Sequence, residues 1–478
     1  MKKLSELYEV ESDVLIKGIK INSKEIEEGD LFICVSGFSA DRHDFIDEAI
    51  ERGASAIVVS KDIKKDIPTI KVKNTDEELP LLCKRFYDNP EEKLKMIGIT
   101  GTDGKTSSAI IIQELLGKDN CGYIGTNGLI YKDVCKKIVN TTPDADRIYQ
   151  YLKEIVESGC SYVVMEVSSE ALYHKRVDTL KFDICAFTNI TEDHLNIHKT
   201  IENYKESKKR LFSLLKKDGV SILNIDDDNY EYIKKACKDK TISYGEKEDA
   251  DFKIENINAK EEGITFEVKT KEERYKIESP LHGSYNTYNL TLGMIVANLL
   301  GKENCLKRIK DINCIPGRTE IINFGQNYTV ILDYAHTYNG IYNIIKNMKQ
   351  EPHNRMLVLT GAAGGREHEK RSKIGKMILE NAEYTIFTMD DPRYESVDEI
   401  IDELVKDTTK TNYERVLDRE KAIFKIFDLA EENDMVLILG KGRDNYMAIE
   451  DKRIEYCDYD VICKYFKNKE NRQKDLQQ

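Results

Sequence analysis

One nine-residue turn constrains this chain more than any other stretch: Gly98-Ile99-Thr100-Gly101-Thr102-Asp103-Gly104-Lys105-Thr106. Before it, Met96-Ile97-Gly98-Ile99 reads as a buried strand; after it, Ser107 to Leu116 has a helical pattern. A glycine-rich turn between strand and helix aims several backbone N–H groups at one point, where the helix dipole adds positive potential. That geometry holds polyphosphate. Gly101, Thr102, Asp103, Gly104 and Ser107 form the cradle, Lys105 meets the terminal phosphates and Thr106 a magnesium ion. The spacing departs from G-x-x-x-x-G-K-T because Ile99 stands at the first glycine. The stretch is read as an ATP site.

The chain has 478 residues, enough for about three domains of roughly 150 residues. A net charge of −13 disfavours nucleic acid as a partner, because a phosphate backbone demands a basic face. Eleven scattered cysteines without a C-x-x-C pair fit a reducing cytosol rather than a disulfide framework or zinc site. Met1-Lys2-Lys3 is not followed by an apolar segment, so no signal peptide is expected. No apolar run approaches the roughly 18 residues of a membrane helix. A cytoplasmic protein is expected.

Residues 1–88 read as a small α/β unit, with strands at Asp30–Val35 and Ala56–Val59 around a helix at Ile46–Arg52. Asn89-Pro90 closes it. Across 89–314, apolar runs alternate with helical patterns, as a mostly parallel sheet requires; Tyr162–Met165 and Phe182–Phe187 are two of its strands. Near 250–278 the period switches to two, which predicts an antiparallel ribbon inserted in the sheet or appended to it. Residues 315–478 form a third unit, with strands at Val330–Leu332, Met356–Thr360, Tyr384–Phe387 and Met435–Leu439 in a doubly wound sheet. The polar tail from Lys467 to Gln478 is expected to fray.

Ligands in an open α/β sheet sit beyond the carboxyl ends of the strands. Glu166 ends one strand and Thr188-Asn189-Ile190-Thr191-Glu192-Asp193-His194 the next. Glu166, His194 and Thr106 therefore can hold magnesium with phosphates and water. Read alone, Glu166 is equally a helix-capping carboxylate and His194 an ordinary solvated histidine.

In order along the chain, Gly98 to Thr106, Glu166-Val167-Ser168-Ser169, Thr191-Glu192-Asp193-His194, Tyr204 to Phe212, Asn286-Thr287-Tyr288-Asn289, Pro316-Gly317-Arg318 and Asp333-Tyr334-Ala335-His336-Thr337 resemble the motifs of the Mur ligases. Asp390-Asp391-Pro392-Arg393 and Gly440-Lys441-Gly442 narrow the resemblance to the members that add the third residue of the peptidoglycan stem peptide. The resemblance implies a uridine-binding N-terminal unit, a central P-loop ATPase domain and a Rossmann-like C-terminal domain for the acceptor. It also implies a reaction. ATP phosphorylates the free carboxylate of UDP-MurNAc-L-Ala-D-Glu, and a diamino acid, expected to be meso-diaminopimelate, attacks the acyl phosphate.

By the same resemblance, Lys105, Lys208, His194 and Glu166 are catalytic, with Lys208 carbamylated to bridge a second magnesium. From sequence pattern alone Lys208 belongs to a solvated helix face. Asn286, Asn289, Arg318, Asp333 and His336 surround the base and ribose. Ser23 and Phe38-Ser39-Ala40 meet the uridine end; Thr141, Thr142, Ser168, His174 and Arg176 hold the muramoyl-dipeptide. Arg366, Asp390, Asp391, Pro392, Arg393, Gly440 and Asp444 take the acceptor, Arg393 pairing with its distal carboxylate. A surface ion pair is the alternative for Arg393.

Several positions depart from the family pattern. His174 replaces a glutamine, Glu170 a histidine, and Asn22-Ser23-Lys24 a common Asp-Ser-Arg. The usual G-K-G-H-E reads Gly440-Lys441-Gly442-Arg443-Asp444. These departures leave L-lysine or another diamino acid open. A folylpolyglutamate-synthase-like ligase and a non-catalytic paralogue are the competing readings. A monomer without membrane insertion is expected.

Overall fold

The computed structural model describes residues 1–476 except 37–40, 192, 194, 239, 261, 303 and 367. Phe38, Ser39, Ala40 and His194 therefore lie outside the described residues.

Three sheets organise the chain. The first is four-stranded and parallel, in the order Ile19–Lys20, Leu31–Ile33, Ala56–Val59, Thr69–Lys71. The helix Ile46–Glu51 follows its second strand. That second strand is shorter than its apolar run, Asp30–Val35, suggested.

The central sheet has eleven strands. Its parallel part runs Cys121–Gly125, Tyr162–Glu166, Lys95–Thr100, Phe182–Phe187, Leu215–Asn224, Lys240–Gly245 and Phe252–Lys260. The chain leaves Lys95–Thr100 toward one edge and later crosses to the other side at Phe182–Phe187. The phosphate turn thus sits where strand order reverses, the place an open sheet leaves a crevice. The expected ribbon is appended: Gly263–Lys269 and Arg274–Ser279 continue the sheet antiparallel from Phe252–Lys260. At the opposite edge lies a hairpin, Gly128–Tyr131 and Val134–Lys136, which the periodicity did not suggest.

Helix Lys105–Leu116 is buried nearly all round because helix Asn286–Leu299 covers its outer side. Gly293 permits the contact, since a Cβ there would lie 2.5 Å from Ile111 Cγ2. Helix Ala145–Glu157 instead buries one stripe, Ile148, Tyr149, Leu152 and Ile155, at the spacing of a half-covered helix.

The third sheet is six-stranded, in the order Glu320–Ile322, Thr329–Asp333, Met435–Leu439, Met356–Thr360, Tyr384–Phe387, Tyr413–Arg415. Only its first strand is antiparallel. Apolar clusters on both faces make it doubly wound.

The C-terminal helix runs Asp458–Leu476, through the tail that polarity alone marked for fraying. Its first turn is tied down by Asp458, which accepts from buried Arg419 at 2.8 and 2.7 Å, and Ile462, Tyr465 and Phe466 enter the core. Among the described residues no helix is long and apolar enough to cross a membrane.

Candidate active site

The turn after Lys95–Thr100 is shaped by close approach. A Cβ at Gly101 would stand 1.8 Å from Thr188 Oγ1, and one at Gly104 2.9 Å from Asn289 Oδ1. Thr102 N–H donates to the Asn189 carbonyl and Asp103 N–H to Asn189 Oδ1, both at 2.9 Å. Thr188 Oγ1 donates to the Asp103 carbonyl at 2.6 Å. The end of the neighbouring strand therefore moulds the cradle. Lys105 folds back, its ammonium 2.9 Å from the Gly101 carbonyl and 2.8 Å from that of Thr102. Burial holds its pKa below the usual lysine value.

Glu166 is 0 % exposed and accepts from four groups on three residues: Thr106 Oγ1 at 2.9 Å, Tyr123 Oη at 2.5 Å, and Thr126 N–H at 2.9 Å and Oγ1 at 3.4 Å. It is not a helix cap. It faces the first helical turn through Thr106. Tyr123 lies outside the motifs; a tyrosine inside an apolar strand, whose hydroxyl must find a partner when buried, is the signal that the sequence offers for it.

Lys208 is 1 % exposed, against the solvated helix face that its sequence context suggests. Its amine lies 2.6 Å from the Gly101 carbonyl and 4.5 Å from the Tyr204 ring centroid. Burial first, and the nearby Lys105 charge second, push its pKa well below the ordinary value. A neutral amine is the form that can react with carbon dioxide.

Arg318 reaches across from the third unit, Nη2 donating to Thr106 Oγ1 at 3.1 Å, with its guanidinium 4.7 Å from the Tyr334 ring centroid. Asp333 accepts N–H groups from Thr319 at 2.6 Å and Ala335 at 2.7 Å, shaping the loop that carries His336. Burial raises its pKa against those bonds and Arg318. Asn286 and Asn289 are held internally: Asn289 accepts from Ser108 at 3.0 Å and donates to Asn286 at 2.9 Å. Asn289 thus braces the helix behind the phosphate turn.

The dipeptide candidates converge beside Glu166. Thr142 Oγ1 donates to the Glu166 carbonyl at 2.8 Å and accepts Ser168 N–H at 2.9 Å. Thr141 Oγ1 lies 3.1 Å from Thr126 Oγ1. Ser168 caps the helix Ser169–Tyr173, and the His174 ring sits edge-on to Tyr173. Arg176 is held by Asp144 at 2.7 Å and Glu170 at 3.1 Å. Ser23 stands apart in the first unit, its hydroxyl donating to Glu48 at 2.6 Å.

The acidic acceptor candidates gather around Lys441, 1 % exposed, whose ammonium lies 2.8 Å from Asp391 and 3.2 Å from Asp444. Burial nevertheless raises the Asp444 pKa, outweighing Lys441. Asp390 packs on Gly440, where a Cβ would stand 2.2 Å from its Oδ2. Pro392 packs its carbonyl on Gly364, and Arg393 lies along Gly365, next to exposed Arg366.

A phosphate turn at a sheet switch point, a buried carboxylate facing it and an arginine entering from a separate α/β unit define a P-loop nucleotide-binding protein. Family comparison agrees. The Mur ligase middle domain matches residues 99–297, the Mur ligase glutamate ligase domain 317–442, and the Mur ligase family catalytic domain 15–87. The chain is 38% identical over 465 residues to the UDP-N-acetylmuramoyl-L-alanyl-D-glutamate--2,6-diaminopimelate ligase of Clostridium tetani, covering 94% of each. A solved structure bearing the same enzyme name superposes with TM-score 0.65 at 25% identity, covering 98% of this chain and 99% of the other. Mycobacterium tuberculosis folylpolyglutamate synthase shares the fold, with TM-score 0.65 at 14% identity over 76% of this chain. This chain belongs to the Mur ligase family.

Proposed function

We propose that this protein joins meso-diaminopimelate to UDP-MurNAc-L-Ala-D-Glu in an ATP-driven step of peptidoglycan synthesis. The observation that carries the reading is the near full-length 38% identity to an enzyme named for that reaction. The D-x-P-R segment supports it, with Arg393 and Arg366 as planar cations suited to a distal carboxylate. The folylpolyglutamate reading has less support, because that fold covers only 76% of this chain.

Residues 1–88 take the uridine end, 89–314 ATP and the muramoyl-dipeptide, and 315–478 the acceptor. A glutamyl carboxylate oxygen attacks the γ-phosphorus, the bond to the bridging oxygen breaks and ADP leaves. The acceptor amine then attacks the acyl carbon and expels phosphate. Negative charge builds on phosphoryl oxygens, so the N–H cradle, Lys105 and Arg318 supply much of the acceleration. Closure of the third unit over the site keeps water from the acyl phosphate.

The residues fit magnesium. Thr106 and Glu166 offer hard oxygen donors at the first helical turn. Among the described residues no three His, Cys, Asp or Glu side chains converge, and nucleotide phosphate oxygens would supply further hard donors to a bound ion. Thr106, Glu166, His194 and Lys208 as its carbamate would hold the metal, which when bound neutralises phosphate charge.

The test is phosphate release from ATP with purified protein, UDP-MurNAc-dipeptide and a panel of amino acids. Turnover with meso-diaminopimelate well above L-lysine is expected. Equal or faster turnover with L-lysine would overturn the acceptor assignment.

A further inference from the structure

We infer that Arg443 is a positioning residue that holds the acceptor loop in register with the phosphate turn. This rests on the ligase reading above and extends it to a residue where the family pattern has histidine.

Arg443 grips Glu320 with two N–H groups: Nε lies 2.8 Å from Oε2, and Nη2 contacts Oε1. Glu320 is 4 % exposed, and its Oε2 also accepts the Gly317 N–H at 2.7 Å. The next residue, Arg318, touches the Thr106 hydroxyl. On the other side, Arg443 lies in the turn holding Lys441 and Asp444, where the Lys441 ammonium meets both Asp444 and Asp391. One carboxylate thus joins the turn that reaches the phosphate site to the loop assigned to the acceptor.

Packing reinforces the link. A Cβ at Gly317 would stand 2.2 Å from the Tyr334 ring and one at Gly442 2.6 Å, so the two turns enclose that ring. The Tyr459 ring lies 3.6 Å from the Arg443 guanidinium and supports its plane. A planar fork fixes distance and rotation together, whereas a lysine offers a single point of attachment. Rotation of the 440–444 turn about Glu320 would displace Gly440 and Asp444, the residues assigned to the acceptor, and so weaken acceptor binding.

The experiment is steady-state kinetics of R443K and E320Q with ATP, UDP-MurNAc-dipeptide and meso-diaminopimelate, alongside thermal melting. Both variants should raise the acceptor KM about tenfold or more, with the ATP KM within about twofold of wild type. The double variant should be no worse than the poorer single one, because both remove one contact. An unchanged acceptor KM in R443K, or ATP and acceptor KM rising together with a lowered melting temperature, would overturn the role. E320Q supplies the same readout should R443K fail to fold. Wild-type protein without turnover would sink the ligase reading as well; wild-type turnover with an unmoved acceptor KM sinks the positioning role alone.

Discussion

Thr106 donates its hydroxyl to Glu166 across 2.9 Å, joining the first turn of the phosphate-binding helix to the end of the adjacent strand. Sixty residues separate the two in sequence, and the parallel pairing of Tyr162–Glu166 with Lys95–Thr100, the strand that leads into the helix, brings them together. The contact places a buried carboxylate beside a phosphate cradle, a costly arrangement unless cations visit the site.

Replacing Glu166 by glutamine keeps the side-chain shape and an acceptor for Tyr123 and Thr126. The fold should therefore survive, while phosphate release falls by about 100-fold or more, on the scale of lost charge stabilisation at a reacting centre. Melting curves and phosphate release measured together check this; near-native turnover would remove Glu166 from the machinery.

Lys208→Ala should abolish ligation, since no carbamate can form at that position. Small anions such as bicarbonate or chloride should restore part of the rate by occupying the vacated anion site. Full activity without added anion would exclude the carbamate role.

Asp146 supplies a pH signature. It is 4 % exposed, its Oδ1 has no hydrogen-bond partner, and burial and then Asp144 raise its pKa to about 6. The folded state therefore binds the proton more tightly than the unfolded chain, whose value is near 4. Its contribution to stability is fully present below about pH 4 and is lost as pH rises through about 6, a swing of about 3 kcal/mol. Asp146→Asn should thus stabilise the protein at pH 8 and have little effect at pH 4. Urea midpoints of both proteins at the two pH values test the sign.

Arg419 and Asp458 form a fully buried pair that seats the C-terminal helix. Removing one partner strands the other charge in the core, so Asp458→Ala should cost about 3–5 kcal/mol. Chemical denaturation followed by far-ultraviolet circular dichroism measures the loss, and a change under about 1 kcal/mol would contradict it.

Features confined to short runs of chain are legible in the residues themselves. The phosphate turn spans nine consecutive residues, and strands such as Ala56–Val59 and Met435–Leu439 coincide with their apolar runs. The order of motifs likewise suffices for family and fold, because motif spacing reflects the strand order that carries it.

What no local pattern encodes is which distant side chains meet. Tyr123 with Glu166, Arg443 with Glu320 and Arg419 with Asp458 are pairs separated by 43, 123 and 39 residues. Lys208 looks solvated from its charged neighbours, yet packing against Tyr204 and the Gly101 carbonyl buries it. Burial and pairing arise from how sheets and helices stack, and the energies of charged groups depend on that surrounding medium more than on residue type. The chemistry is written along the chain; the protonation and alignment of its groups come from the packed interior.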